Sequence, residues 1–267
     1  MKTIEIHKRE INLKNYKRRS ALEEDCTTLI DEDCIITSNG EPIIYYSKTK
    51  IDTSALRWAV NTVKYNKLER TGGLVSHSTV FGYIPRRVLL ADFCHAALMA
   101  TKFPKQHYII TNFAKDLEQT YTDYFLETYE KHKAIIKERI KEEWKIENSV
   151  FTSGIVNKDN PLKYHHDRGN FKGVLSNMVC FKKGIKGGRL SIPEYDIKLE
   201  IADDTLVIFN GQEILHGVTP IKKTHPKGYR YTVVYYSMEQ MWKCDSLNEE
   251  TDRIRKKKKE REFKRLN

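Results

Sequence analysis

Apolar positions along this chain follow two different spacings, and the change falls near residue 148. Phe113, Leu117, Tyr121, Tyr124, Phe125, Ile136, Ile140 and Trp144 recur at helical steps above a Lys/Glu-rich opposite face. That pattern predicts one long helix, or two with a break. Upstream, "DTSALRWAVNTVKYNKLER" offers Asp52 and Thr53 as caps and keeps helical spacing up to Gly72-Gly73. "RRVLLADFCHAALMATKF" predicts another amphipathic helix. Residues 1–50 read as a basic arm followed by short strands around the "SNGEP" turn.

Beyond residue 148 the segments are short, β-branched or aromatic, and punctuated by Gly, Pro and Asn. They are "SVFTSGIV", "GVLSNMVCF", "RLSIP", "IKLEI", "TLVIF", "EILHGV" and "RYTVVYYSM". Roughly seven or eight strands in about ninety residues predict a sandwich or barrel. The expected architecture is α+β. A mainly helical region over residues 1–148 packs on a β-barrel over 149–244 as one integrated unit, and a basic, disordered tail follows over 245–267.

Composition narrows the class. With 39% hydrophobic and 31% charged residues in 267, the chain reads as a globular protein able to bury one substantial core. No apolar run approaches the ~20 residues of a membrane helix. The charged start "MKTIEIHKREINLKNYKRRS" has no secretory apolar region, so a cytoplasmic protein with no membrane association is expected. The five cysteines are scattered without a CxxC pair, which predicts buried reduced thiols rather than disulfides or a zinc site. A net charge of +11 favours a polyanionic partner. The excess concentrates in "TDRIRKKKKEREFKRLN", with nine Lys/Arg against three acids, and in "KNYKRR" at residues 14–19. Phosphate contact is the functional reading of these clusters, and a solvated surface the bland one.

The candidate chemistry lies in "PLKYHHDRGN". Of the nine histidines, only His165 is followed two residues later by an aspartate, Asp167. Alternate side chains of an extended segment share a face, so this pair can aim an imidazole and a carboxylate at one point while His166 turns away. His216 in "EILHGVTP" is the candidate third ligand. Two imidazoles and one carboxylate are the donor set of non-haem Fe(II) oxygenases. Alone, H-x-D is equally a polar surface turn. Fourteen residues after His216 comes Arg230, followed by Thr232 on the same strand face. A buried Arg needs a carboxylate partner. A dicarboxylate cosubstrate would supply one in bidentate fashion, with the Thr232 hydroxyl beside it. The competing partners are protein acids, Asp203 or Asp204.

Taken together, "HHDRGN…GVLSNMVCF…GGRLSIPEYDIKLEIADDTLVIFNGQEILHGVTPI…YRYTVVYYS" resembles the Fe(II)/2-oxoglutarate dioxygenases of the TET/JBP family over about residues 150–240. The resemblance implies a double-stranded β-helix (jelly-roll, cupin-like) core. It implies Fe(II) held by His165, Asp167 and His216. It also implies 2-oxoglutarate, used with O2, held by Arg230 with Thr232, and Asn170 near cosubstrate and substrate. "GG-x-L-x-x-P" at Gly187-Gly188 matches a family segment that also reads as a simple hairpin turn. The implied reaction is hydroxylation of the 5-methyl group of a DNA pyrimidine, 5-methylcytosine ahead of thymine, on duplex DNA with the target base flipped out. No obligate protein partner is implied. Phe171, Tyr164, Phe81 and Tyr83 are candidate stacking residues, and Arg86, Arg87 or His77 candidates for the site or a phosphate. Two other readings remain at this stage. One keeps the iron site but acts on a protein side chain, a nucleotide or a metabolite. The other is a non-catalytic nucleic-acid-binding barrel.

Overall fold

A computed structural model describes residues 1–16, 19–70, 74–87 and 91–266. Lys17, Arg18 and the Gly72-Gly73 pair, named above, lie outside them. The fold is mixed α+β with a double-stranded β-helix core. Its largest element is a ten-stranded sheet. Along the main path the order is Lys2–Glu5, Cys34–Ser38, Glu41–Lys48, Thr205–Phe209, Ser176–Lys183, Tyr229–Tyr236, Ser153–Lys158, Leu74–Ile84 and Asn66–Arg70. A four-stranded sheet runs Gly217–Val218, Leu190–Ile192, Ile197–Leu199, Thr28–Ile30.

Alternation along the central strands divides the core in two. Val179, Phe181, Leu206, Ile208, Tyr231, Val233 and Tyr235 face one way and pack with Leu56, Val60, Ile110, Leu117, Tyr121 and Phe125 from the helices. Met178, Cys180, Val207 and Phe209 face the other way and meet Leu190, Ile192, Ile197 and Leu199 of the smaller sheet. Helices therefore back the large sheet, and the small sheet closes the barrel over its inner face. Arg230 and Thr232 alternate with Tyr231 and Val233, so both point inward.

The N-terminal half is less helical than its sequence suggested. The helix expected to run to residue 70 covers Ser54–Thr62. The Tyr65 hydroxyl then donates to the carbonyl of Val60, satisfying a helix-terminal acceptor. The chain turns into the strand Asn66–Arg70, which pairs with Leu74–Ile84. In the segment 86–103, the described part is a short strand, His95–Ala96, and one helical turn, Met99–Lys102. Pro104 then opens a separate helix, Pro104–Asn112, because a proline fits the first turn and not an interior. The long helix, Ala114–Arg139, is broken at Phe125 (φ −142°, ψ 47°).

Two further expectations are corrected. Cys94 and Cys244, 150 residues apart, are joined in a disulfide, while Cys26, Cys34 and Cys180 are buried free thiols. The segment expected as a disordered tail forms the helix Leu247–Leu266. Ser246 and Glu249 make a reciprocal cap: the Ser246 amide donates to Glu249 Oε2 (2.8 Å) and the Glu249 amide to Ser246 Oγ (3.4 Å). Glu250, buried, then accepts the amides of Cys94 and Asp245 (both 2.9 Å) and pairs with Arg86. Those bonds dock the first turns of the helix.

Beneath the sheet, His132 is buried between Tyr121 and Ser237, its Nε2 2.8 Å from Ser237 Oγ. Burial pushes its pKa down to about 3. The unfolded chain protonates this imidazole near its ordinary value and the folded chain does not, so the unfolded state binds more protons as pH falls below about 6.5. Acidification from about pH 6.5 towards 4 is therefore expected to lower Tm. His132→Gln is expected to flatten that part of the curve in thermal melts. A variant with the wild-type slope would refute the assignment.

Candidate active site

The segments carrying the candidate ligands are tied to each other by backbone bonds. The His165 amide donates to the His216 carbonyl (2.9 Å), and the His216 amide returns the bond to His165 (3.1 Å). The Asp167 amide donates to the carbonyl of Gly211 (2.7 Å). The result brings the two imidazole rings to 4.4 Å between centroids. Asp167 Oδ1 lies 3.5 Å from His165 Nε2 and 3.9 Å from His216 Nε2. One ligand atom from each residue falls within 4.8 Å of the others, a cluster that could hold a metal ion. His166 stands outside it, half-buried.

Each imidazole is oriented through its other nitrogen. His165 Nδ1 donates to the carbonyl of Lys163 (2.7 Å) and His216 Nδ1 to that of Ile214 (2.9 Å). With the proton held on Nδ1, each Nε2 lone pair turns toward Asp167. Burial pushes the His216 pKa down to about 4, so the ring is neutral and able to ligate at neutral pH. Phe209 packs edge-on against it at 5.1 Å.

Gly211 is a site residue that sequence reasoning missed. A Cβ there would lie 2.2 Å from Asp167 Oδ2 and 3.3 Å from His216 Cε1. The glycine is needed for space beside the carboxylate. Its only sequence signal was its place in "NGQ" ahead of His216.

Arg230 is 2% exposed, and its Nε and Nη2 have no hydrogen-bond partner. The proposed acid partners are engaged elsewhere: Asp203 pairs with Arg57 at 2.8 Å and Asp204 accepts the Thr53 hydroxyl at 2.6 Å. Asp159 takes the Arg230 amide instead (2.7 Å), at the backbone. A buried guanidinium left this way is costly, by several kcal/mol, unless a carboxylate arrives to meet it. Thr232 lies two residues on, its hydroxyl accepting from Asn157 Nδ2 (3.4 Å). Gly188 (φ +70°) packs on the Arg230 stem, where a Cβ would stand 2.9 Å from Cδ. Gly188 is thus more than part of a hairpin turn: it leaves room for the arginine.

Other candidates have structural duties. Asn170 is buried, with Nδ2 3.4 Å from Ser176 Oγ and its carbonyl bonded by the Gln212 side chain. Phe171, Tyr164 and Phe81 are buried in the core, and Tyr83 packs edge-on against Trp144. Arg86 is committed to Asp245 and Glu250. Arg87 and His77 are exposed.

Residues 96–239, just over half of the chain, match the TET/JBP family model, described as the oxygenase domain of the 2OGFeDO superfamily. The chain belongs to the TET/JBP oxygenase family. Its fold is similar to that of NgTET1 solved in complex with 5mC DNA, at 13% identity over 89% of each chain and a TM-score of 0.62. A 2OG-Fe(II) oxygenase family oxidoreductase from Burkholderia pseudomallei is more distant. It shares 8% identity over 72% of this chain and 82% of that one, at a TM-score of 0.42. No curated protein matches. As a TET/JBP-type oxygenase the protein uses Fe(II) and 2-oxoglutarate, and two observations fit that pair. The His-Asp-His cluster has the donor set for iron. The unpartnered guanidinium of Arg230 suits a dicarboxylate. No helix among the described residues is long and apolar enough to cross a membrane.

The close approach of Gly211 yields a direct check. Gly211→Ala is expected to displace Asp167 and weaken divalent-metal binding about tenfold or more, with circular dichroism unchanged. Wild-type metal affinity in this variant would show that the carboxylate does not occupy the place described.

Proposed function

We propose that the protein hydroxylates the 5-methyl group of a pyrimidine in DNA, with 5-methylcytosine as the favoured target ahead of thymine. In this reading His165, Asp167 and His216 hold Fe(II), while Arg230 with Thr232 holds the distal carboxylate of 2-oxoglutarate. The observation that carries it is the inward-facing, unpartnered Arg230 on the same barrel as the His-Asp-His cluster. Fold similarity to a TET protein in complex with 5mC DNA supports the choice of substrate.

A methyl C–H bond is too weak an acid for any side-chain base, and bound iron with 2-oxoglutarate and O2 supplies the oxidant that the reaction needs. The chain's own part is geometric. The Nδ1 bonds hold both imidazoles as neutral ligands facing one carboxylate. Arg230 fixes the cosubstrate's far end, and the two-sheet core keeps water from the barrel interior. A base stacked in duplex DNA cannot reach such a site, so the target is flipped out at a cost of a few kcal/mol. Asn170 stands close to the Asp167 turn and takes a role beside cosubstrate and substrate.

Phosphate contact falls to the C-terminal helix. Its first turns are docked, and residues 258–266 are all exposed. Among the described residues no ion pair engages Lys258, Lys259, Arg261, Lys264 or Arg265.

Incubation with Fe(II), ascorbate, 2-oxoglutarate and methylated DNA, followed by digestion and nucleoside mass spectrometry, is expected to yield 5-hydroxymethylcytosine. The product should vanish in His165→Ala and Asp167→Ala. Succinate formed without altered DNA would move the substrate to another class. Truncation after residue 257 is expected to weaken DNA binding and to flatten the dependence of log K on log salt. An unchanged salt slope would remove the helix from the interface.

A further inference from the structure

The two metal-facing histidines are built on one plan that differs in a single partner. Each Nδ1 donates to the carbonyl of the residue two positions earlier, and the N–H of that same peptide group is itself held. For His165 the peptide group joins Lys163 to Tyr164, and the Tyr164 amide donates to the neutral backbone carbonyl of Arg19 (2.9 Å). For His216 it joins Ile214 to Leu215, and the Leu215 amide donates to Glu194 Oε2 (2.7 Å). Glu194 is 6% exposed. Its second oxygen pairs with Lys8 Nζ (2.9 Å), whose side chain is largely in solvent.

We propose that Glu194 is a positioning residue for His216, acting through the Ile214–Leu215 peptide group to fix the imidazole and raise its basicity toward the metal. The inference rests on the reading of His165, Asp167 and His216 as the metal ligands. A carboxylate accepting a peptide N–H pushes electron density toward the carbonyl of that peptide. The carbonyl then accepts the Nδ1 proton more strongly, and Nε2 becomes a better donor. Metal-bound histidines are commonly backed by a carboxylate or a carbonyl. Here both act in series, with the peptide group as the link.

Geometry makes Glu194 suited to this. It sits in the 3-10 turn Pro193–Tyr195, directly after the strand Leu190–Ile192, which follows Gly188 and its close approach to Arg230. The turn is clasped by the N-terminal arm. The Arg9 amide donates to the Glu194 carbonyl (2.7 Å), Arg9 Nη2 to the Pro193 carbonyl (3.1 Å), and Arg9 Nη1 pairs with Asp196 (3.1 Å). Lys8 neutralises the buried carboxylate without entering the site. The basic N-terminal arm is thus, at the Arg9 and Arg19 backbone, part of the support for the proposed metal ligands.

The test is an anaerobic Co(II) titration followed by visible absorption, run on wild type, Glu194→Ala, Glu194→Gln, Lys8→Ala and His216→Ala. Glu194→Ala is expected to weaken Co(II) binding about 10–100-fold, the usual effect of losing such a partner. The 2-oxoglutarate Kd, measured at saturating Co(II), should move less than about threefold because Arg230 is untouched. Glu194→Gln still offers an oxygen to Leu215 but no charge, so it should lie between Ala and wild type. Lys8→Ala, at an exposed pair, should change Co(II) affinity less than about threefold. A merely structural role would lower Tm in Glu194→Ala and leave Co(II) affinity alone. Either Glu194→Ala or, where Ala fails to fold, Glu194→Gln binding Co(II) as wild type does overturns the proposal, provided His216→Ala loses binding. A wild-type protein that binds no Co(II) instead overturns the metal-site reading beneath it.

Discussion

The structure depends on holding two imidazoles side by side and aimed at one carboxylate. Unliganded, that arrangement is unfavourable, because two nitrogen lone pairs and a carboxylate converge within 4.8 Å. Such a cluster persists only if the surrounding chain fixes each member separately. The reciprocal backbone bridge between His165 and His216 sets their spacing. The Nδ1 bonds to Lys163 and Ile214 set the tautomers. The Asp167 amide on Gly211 sets the carboxylate, and the missing side chain of Gly211 leaves room for it. The barrel is the frame that makes these backbone bonds available at one point.

Arg230 shows the same trade in another form. Its guanidinium is held inside the barrel with Nε and Nη2 unpartnered. A protein carboxylate in that place would make the resting protein more stable and close the position to a cosubstrate. Asp159 meets Arg230 at the backbone, exchanging bonds with its amide and carbonyl, while its other oxygen goes to Lys223 at 2.9 Å. Stability is therefore surrendered at Arg230, the proposed cosubstrate position, and the helix-backed face of the sheet compensates with a large apolar core.

The candidate site's clustering was legible in the sequence because its parts are local. H-x-D needs only strand alternation, and Arg230 with Thr232 needs only the same rule on one later strand. The short strands after residue 148 were legible for the same reason. Long-range facts were not. Cys94 and Cys244 meet through tertiary contact, with nothing in their spacing to announce it. The strands Lys2–Glu5, Cys34–Ser38 and Glu41–Lys48 extend the barrel's own sheet, and their membership could not be read from a pattern that only placed short strands near a turn. Glu194 carried no sequence signal of its own, since its bond is to an amide 21 positions away. The Ser246-x-x-Glu249 box was in plain view. It was outweighed by the run of lysines behind it, whose charge reads as disorder.

That run also changes meaning once the ion pairs are traced. Several of the cations visible in the sequence are engaged in ion pairs. Lys8 and Arg9 pair with Glu194 and Asp196, Arg19 with Asp25, Arg86 receives the C-terminal helix, and Arg189 joins Glu23 to Glu200. A charge used in this way is neutralised by its partner and contributes little field at a distance. Among the described residues, the exposed end of the helix Leu247–Leu266 carries cations outside such pairs, and the helix is about 30 Å long at the helical rise per residue and fixed at its root by Glu250 and the adjoining disulfide. An anchored cationic rod presents its charges at set distances from the barrel. A tethered coil of the same composition would not. On the proposed reading of a DNA substrate, that difference would bear on where along the polymer a base is taken.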